Sequence, residues 1–235
     1  ISCVDNSGNH NISQTRTFTV EAPPRVDLFT PLAGSYLNST TANYIYLPQD
    51  PLGIFNCSLY IDGAINETDD TITSNQNNSF NIPNVREGFH NSTVRCTDVF
   101  PDFNIGSSNS TNFTIDVTFP TISLNMPLNG SNTLTTVEFN FTAIDNIDNT
   151  LSCNLYIDGS LNISAISAPN ATAVTRTVLG LSLGAHLWNV SCTDEASNTN
   201  SSLIYSFNTT LADLFINTTS IVFNHTNPYE NDSVK

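Results

Sequence analysis

The chain has 235 residues and a formal charge of −15, from 21 acidic against 6 basic side chains. So few cations exclude a nucleic-acid binder, which needs a basic stripe against phosphate, and disfavour a binder of anionic membrane surfaces. Hydrophobic residues make up 39% and are spread along the chain, which argues against disorder, and no apolar run approaches the roughly 18 residues of a membrane span.

Residues 1–21 read as the closing hairpin of a repeat that begins upstream. Ser2-Cys3-Val4-Asp5 and Asn9 correspond to Ser191-Cys192-Thr193-Asp194 and Asn198. Cys3 is then the second member of a pair whose first cysteine precedes Ile1, and no signal peptide is expected at Ile1. Pro23-Pro24 introduces a first full copy, residues 22–118, and Pro120 a second, residues 119–211, because proline breaks a strand ladder. Shifting the chain by 96 residues superposes 25–98 on 121–194 with 19 identities in 74 pairs. The identities cluster at Pro31-Leu32 with Gly34-Ser35, at Cys57-x-Leu59-Tyr60-Ile61-Asp62-Gly63, at Gly88-x-His90 and at Val94-x-Cys96-Thr97-Asp98.

Within a copy the apolar residues alternate. Val137, Phe139 and Phe141 form one such series, Cys153, Leu155 and Ile157 a second, and Trp188, Val190 and Cys192 a third. Asp158-Gly159 between two of these runs predicts a tight hairpin. Short strands without helical periodicity, in units of about this size, predict an all-β chain of seven-stranded sandwiches in tandem. The very short linkers favour a stiff, extended array. In 213–223, Leu214 and Ile216, then Ile221 and Phe223, form two further alternating stretches without partners inside the chain.

The spacing from Cys57 to Cys96 is 39 residues, and Cys153 to Cys192 repeats it. Two equal pairs, with no Cys-x-x-Cys for zinc or redox work, predict a disulfide within each copy and an oxidising, extracellular setting. Each cysteine shares the parity of the apolar residues, so the bridges should face the core. Closing such a loop is worth roughly 4 kcal/mol in the chain-entropy picture. By order the first cysteine falls on the third strand and the second on the sixth, whereas the antibody bridge joins the second and sixth.

Asparagine is the compositional outlier, at 33 residues beside 56 Ser plus Thr. The glycosylation sequon occurs 18 times, at Asn11, Asn38, Asn56, Asn66, Asn77, Asn91, Asn109, Asn112, Asn129, Asn140, Asn162, Asn170, Asn189, Asn200, Asn208, Asn217, Asn224 and Asn231. Chance placement at this composition gives roughly 8, so the excess and the outward parity of Asn140, Asn189 and Asn208 predict N-linked glycans.

No catalytic residue is expected. His90 and His186 occupy equivalent positions in different copies, so they read as strand histidines before the sixth strand, and neither they nor His10 and His225 suggest a metal site. No Ser-His-Asp grouping recurs within a copy, and Lys235 is the only lysine. Asp145, Asp148 and Asp194, with Asn198, fall in loops at one end of a sandwich and offer oxygen ligands for Ca²⁺. Local turn chemistry accounts for them better, because Gln49-Asp50 and Asp98 in the first copy do not reproduce the cluster. No cofactor is expected.

The Cys-x-Leu-Tyr-Ile-Asp-Gly and Val-x-Cys-Thr-Asp segments resemble archaeal and bacterial cell-surface immunoglobulin-like repeats. The likeness covers about residues 1–210. Residues 212–235, with Asp213-Leu214 and Pro228-Tyr229-Glu230-Asn231, look like the opening strands of a CARDB-type adhesion domain, although that family usually has Gly where Asn231 stands. The resemblance implies a part of an S-layer, adhesin or surface filament, with copies of itself as partners and no membrane or nucleic-acid contact. An adhesin recognising a carbohydrate or another cell, and accessory repeats of a secreted hydrolase, are the alternatives. Trp188, the single Trp, sits at inward parity and so leaves no stacking platform for sugars.

Overall fold

A computed structural model describes residues 1–16, 21–99 and 103–211. All of its regular elements are strands. The N-terminal hairpin pairs β1 (Ser2–Val4) with β2 (His10–Ile12). Nine strands follow: β3 (Arg25–Leu28), β4 (Ser35–Leu37), β5 (Ala42–Gln49), β6 (Ile54–Ile61), β7 (Ala64–Asp69), β8 (Asn78–Ile82), β9 (Gly88–Asp98), β10 (Ile105–Ser107) and β11 (Thr111–Ile115). Nine more repeat them: β12 (Thr121–Met126), β13 (Ser131–Thr133), β14 (Val137–Ile144), β15 (Thr150–Ile157), β16 (Ser160–Pro169), β17 (Ala173–Val178), β18 (Gly184–Thr193), β19 (Thr199–Ser201) and β20 (Tyr205–Thr209). Two compact units result, residues 1–118 with 195–198, and the remaining residues from 119 onward.

Each unit is a sandwich of a three-stranded and a larger sheet. In the first, β3-β5-β8 faces β4-β11-β9-β6-β7, with β10 also on β9. In the second, β12-β14-β17 faces β13-β20-β18-β15-β16, with β19 on β18. The expected seven strands are thus present as nine segments, because the first and last are each split. The first strand changes sheets at the Pro31-Leu32-Ala33-Gly34 turn, where Pro31 has no amide to offer the ladder and Gly34 has φ +75°. Beyond it β4 runs parallel to β11, and β13 likewise to β20.

Alternation decides which residues enter the core. On β5 the inward residues are Ala42, Tyr44 and Tyr46, and on β14 they are Val137, Phe139, Phe141 and Ala143. Edge-to-face contacts join Tyr44 to Phe113 at 6.0 Å and Phe139 to Trp188 at 5.1 Å. Burial of such a ring contributes on the order of 2–3 kcal/mol relative to exposure. It also pushes the Tyr44 and Tyr46 phenols above their ordinary pKa, so both stay neutral. The hairpins from β6 to β7 and β15 to β16 turn at Asp62-Gly63 and Asp158-Gly159, with positive φ at both positions of each, the geometry Asp-Gly favours.

Cys57 bonds Cys96, and Cys153 bonds Cys192. All four are fully buried, on the core face as expected. The partners sit directly opposite on hydrogen-bonded neighbours, β6 with β9 and β15 with β18. The bridges therefore tie two strands of one sheet rather than two sheets. Cys3 is exposed and unbonded, and faces Asn11 as Cys192 faces Asn200.

Replacing Cys153 and Cys192 together with alanine is expected to cost the second unit about 2–4 kcal/mol. Trp188 fluorescence during urea unfolding reads this, since the single Trp lies in that core.

Candidate functional site

Polar side chains gather at both ends of the sandwich core, and the strand carrying the second cysteine places both groups. On β9 the inward face reads His90, Ser92, Val94, Cys96 and Asp98, all buried. At about 3.3 Å per residue its ends lie roughly 26 Å apart. On β18 the same face carries His186, Trp188, Val190 and Cys192, with Asp194 just beyond.

At the far end, Asp50 closes the turn after β5. Its Oδ1 accepts the amides of Leu52 at 2.8 Å and Gly53 at 3.0 Å. Asp145 does the same after β14 for the amides of Ile147 at 2.9 Å and Asp148 at 3.1 Å. This corrects the expectation that the first copy lacks the acidic cluster. Asp50 and Asp145 are equivalent residues 95 positions apart, so the 96-residue shift set Gln49 against Asp145 and hid the match. Asp98 answers Asp194 and grips its own loop, accepting the Asn104 amide at 2.7 Å on Oδ1 and the Asn104 side chain at 2.9 Å on Oδ2. Asp5 and Asn9 make the same clamp in the N-terminal hairpin, and it holds the Asp5 carboxyl below its usual pKa. Asp145, Asp148, Asp194 and Asn198, the residues singled out for Ca²⁺, are all buried. Turn chemistry thus explains one oxygen of Asp50 and of Asp145. Their Oδ2 atoms remain buried without a hydrogen-bond partner. In the first unit, Glu21, Asp50 and Asp98 bring carboxylate oxygens within 4.8 Å of one another.

At the near end, each histidine bridges a turn. His186 Nδ1 lies 2.7 Å from Asp158 Oδ2, and its Nε2 lies 2.8 Å from the Ser182 carbonyl. His90 repeats this with Asp62 at 2.8 Å and the Arg86 carbonyl at 2.7 Å. Both histidines lie within the sixth strand rather than before it. The second unit does bring a Ser, a His and an Asp together, against expectation, because Ser182 Oγ is 3.4 Å from His186 Nε2. That nitrogen donates to the Ser182 carbonyl, so it has no lone pair with which to act as a base. Arg86 stands in the corresponding place of the first unit. A depression of about 290 Å³ beside His90 is lined by Ile61, Asn66, Pro83 and Val85 among others.

The Ser182 carbonyl is the chief cause of a raised His186 pKa, followed by Asp158. Burial opposes ionisation of Asp158, but the Leu187 amide and His186 outweigh it and hold that carboxyl below its ordinary value.

Fifteen of the 18 sequons fall on described residues, and Asn217, Asn224 and Asn231 lie outside them. None of the fifteen asparagines is buried. Asn11, Asn38, Asn66, Asn77, Asn109, Asn112, Asn129, Asn162 and Asn200 are exposed, and Asn56, Asn91, Asn140, Asn170, Asn189 and Asn208 are half-buried. Asn170 is committed elsewhere: its Nδ2 donates to the carbonyls of Asp145 and Asp148, each at 2.8 Å. His225 and the 213–223 stretches also lie outside the described residues. Trp188 is buried as expected. Sequence reasoning missed an exposed aromatic pair, Phe55 and Phe103, with ring centroids 5.8 Å apart.

No family model and no curated protein matches the chain. Solved structures do. A marsupial T cell receptor is similar over 79% of this chain and 73% of its own, at 6% identity and a TM-score of 0.54. Each unit is an immunoglobulin-like β-sandwich. Fibronectin(III)-like modules of Clostridium thermocellum CbhA align over 81% of this chain and 97% of theirs, at 17% identity and TM-score 0.48. A 1.5-MDa bacterial ice-binding adhesin aligns over 82% and 66%, at 13% identity and TM-score 0.44.

The histidine pair makes stability pH-dependent. A raised His186 pKa contributes fully below the ordinary value of 6.5 and is lost as pH rises through the folded value. A lowered Asp158 pKa contributes fully above 3.8 and is lost as pH falls through the folded value. Asp158→Asn keeps an oxygen for the Leu187 amide, bonded at 2.9 Å, and removes the charge. Its destabilisation, read by Trp188 fluorescence on heating, is expected to be largest between pH 3.8 and 6.5 and to shrink above that window.

Proposed function

We propose that these units are structural modules of an extracellular, N-glycosylated surface filament, layer or stalk, with neighbouring copies of the same chain as partners and without catalytic activity. The observation that carries this reading is the placement of the sequons. All fifteen on described residues reach solvent, and they occur on strands of both sheets and in the loops between them. A surface coated in this way is shielded from proteases. The disulfides fit an oxidising location outside the cell. The likeness of the two cysteine-bearing segments to archaeal and bacterial surface repeats points the same way. So does a CARDB-like segment at 212–235, which lies outside the described residues.

A second reading, an adhesin gripping a carbohydrate or another cell, is favoured by one observation. Phe55 and Phe103 present exposed rings in edge-to-face contact. Rings so placed offer an apolar surface on which a sugar can pack. Saturable binding to one glycan on an array, abolished by Phe55→Ala, would replace the structural reading with this one.

Electron microscopy of native surface material is expected to show ordered polymers or a lattice containing this chain. A monomeric chain, not anchored at the surface, would defeat the proposal. Glycopeptide mapping of the same material is expected to find sugar on most of the exposed sequons and none on Asn170. Glycosylation replaces one hydrogen on Nδ2, and that nitrogen already serves two carbonyls.

A further inference from the structure

We propose that the first unit holds a Ca²⁺ ion among the carboxylates of Glu21, Asp50 and Asp98. Proximity is the first observation: the three carboxylates lie within 4.8 Å of one another, with Asp50 and Asp98 buried. Like charges gathered out of water repel.

The second observation is independent of the first. Asp50 is 4% exposed, its Oδ1 is filled by two backbone amides, and its Oδ2 has no hydrogen-bond partner at all. A buried carboxylate oxygen without a donor is costly, and the described residues supply none. Because both oxygens belong to one carboxyl group, the vacant lone pairs sit at the cluster. Asp145 repeats the feature, at 6% exposure with Oδ2 again lacking a partner and Asp148 beside it. Such an atom recurring at equivalent positions is a built feature rather than an accident of one loop.

The donor set selects the ion. Carboxylate oxygens alone, with no His or Cys among them, suit a hard cation rather than zinc or copper. Oxygens bound to one Ca²⁺ at roughly 2.3–2.6 Å can stand up to about 5 Å apart, which accommodates this spacing. The surroundings hold the ligands in place. Asp98 is fixed by Asn104, Asp50 by its own turn, and the segment carrying Glu21 by close packing of the Pro24 carbonyl against Gly106, where an added Cβ would lie 1.7 Å from that oxygen.

The site goes beyond the structural role proposed above and is tested without reference to it. The full chain, stripped of metal, is dialysed against ⁴⁵Ca²⁺ up to about 1 mM, the range of extracellular Ca²⁺ modules. Saturable uptake is expected, with one equivalent fewer in Asp50→Asn and no loss in Asp27→Asn. Thermal unfolding supplies a readout that a misfolded variant cannot mimic. In chelator, Asp50→Asn is expected to unfold at or above the temperature of the unaltered chain, because it relieves repulsion and still accepts both turn amides. In Ca²⁺ the order is expected to reverse. Absence of saturable uptake, unchanged uptake by Asp50→Asn, or the same order of midpoints in both buffers would overturn the proposal. Equal stabilisation by Mg²⁺ alone would overturn the assignment to Ca²⁺.

Discussion

The two-residue period of one strand governs this molecule. On β9 and β18 every second residue points inward, so the cysteine that closes the disulfide fixes the orientation of everything else on the strand. Six residues before it stands the histidine, and two after it the aspartate. Both are carried to the ends of the apolar core, where turns and loops supply the partners of their polar atoms. A one-residue slip would place His90 and Asp98 in solvent and turn Thr93, Arg95 and Thr97 into the core. The covalent pairing of Cys57 with Cys96, directly opposite on hydrogen-bonded strands, excludes that slip.

Much of this was legible in the amino-acid sequence because repetition shows itself at constant spacing. The 39-residue cysteine interval, the Asp-Gly turns and the inward residues of β14, β15 and β18 all appear where alternation placed them. The His–Asp pairs carried a comparable signal that went unread: Asp62 precedes His90 by 28 residues, and Asp158 precedes His186 by 28. The equivalence of Asp50 and Asp145 failed for a physical reason. The stretch between the first-strand turn and the second strand is one residue shorter in the second copy, so a rigid shift loses register there and regains it by the cysteine. Phe55, at the start of β6, meets Phe103 in the loop before β10, and no periodic pattern links residues so placed.

Negative charge is the chain's standing difficulty. With 21 acids and 6 bases, ion pairing cannot neutralise it. The carboxylates are met instead by backbone amides and asparagine side chains, as at Asp5, Asp50, Asp98 and Asp145. Such bonds satisfy an oxygen without cancelling its charge. Two carboxylates near 5 Å apart still repel by about 3 kcal/mol at an effective dielectric of 20. A cluster of three is therefore tolerable only where something else carries positive charge, which connects the composition directly to the divalent ion proposed at the turn after β5.

The two classes of polar feature obey different rules of position, and the contrast bears on what the surface is for. Disulfide, His–Asp pair and turn aspartate each recur at matching places in both copies. Among the sequons of the two full copies, only Asn66 with Asn162 and Asn112 with Asn208 coincide under the 96-residue shift. A site that acts through the core must be held to a fraction of an ångström, so its residues stay put. A glycan needs only an asparagine that reaches solvent, and many positions on a sandwich meet that condition equally well. Retained abundance without retained position is what coverage requires, whereas a single recognition site would have fixed its residues in at least one place. Under the glycosylated role proposed above, the surface of these units is organised by area rather than by point.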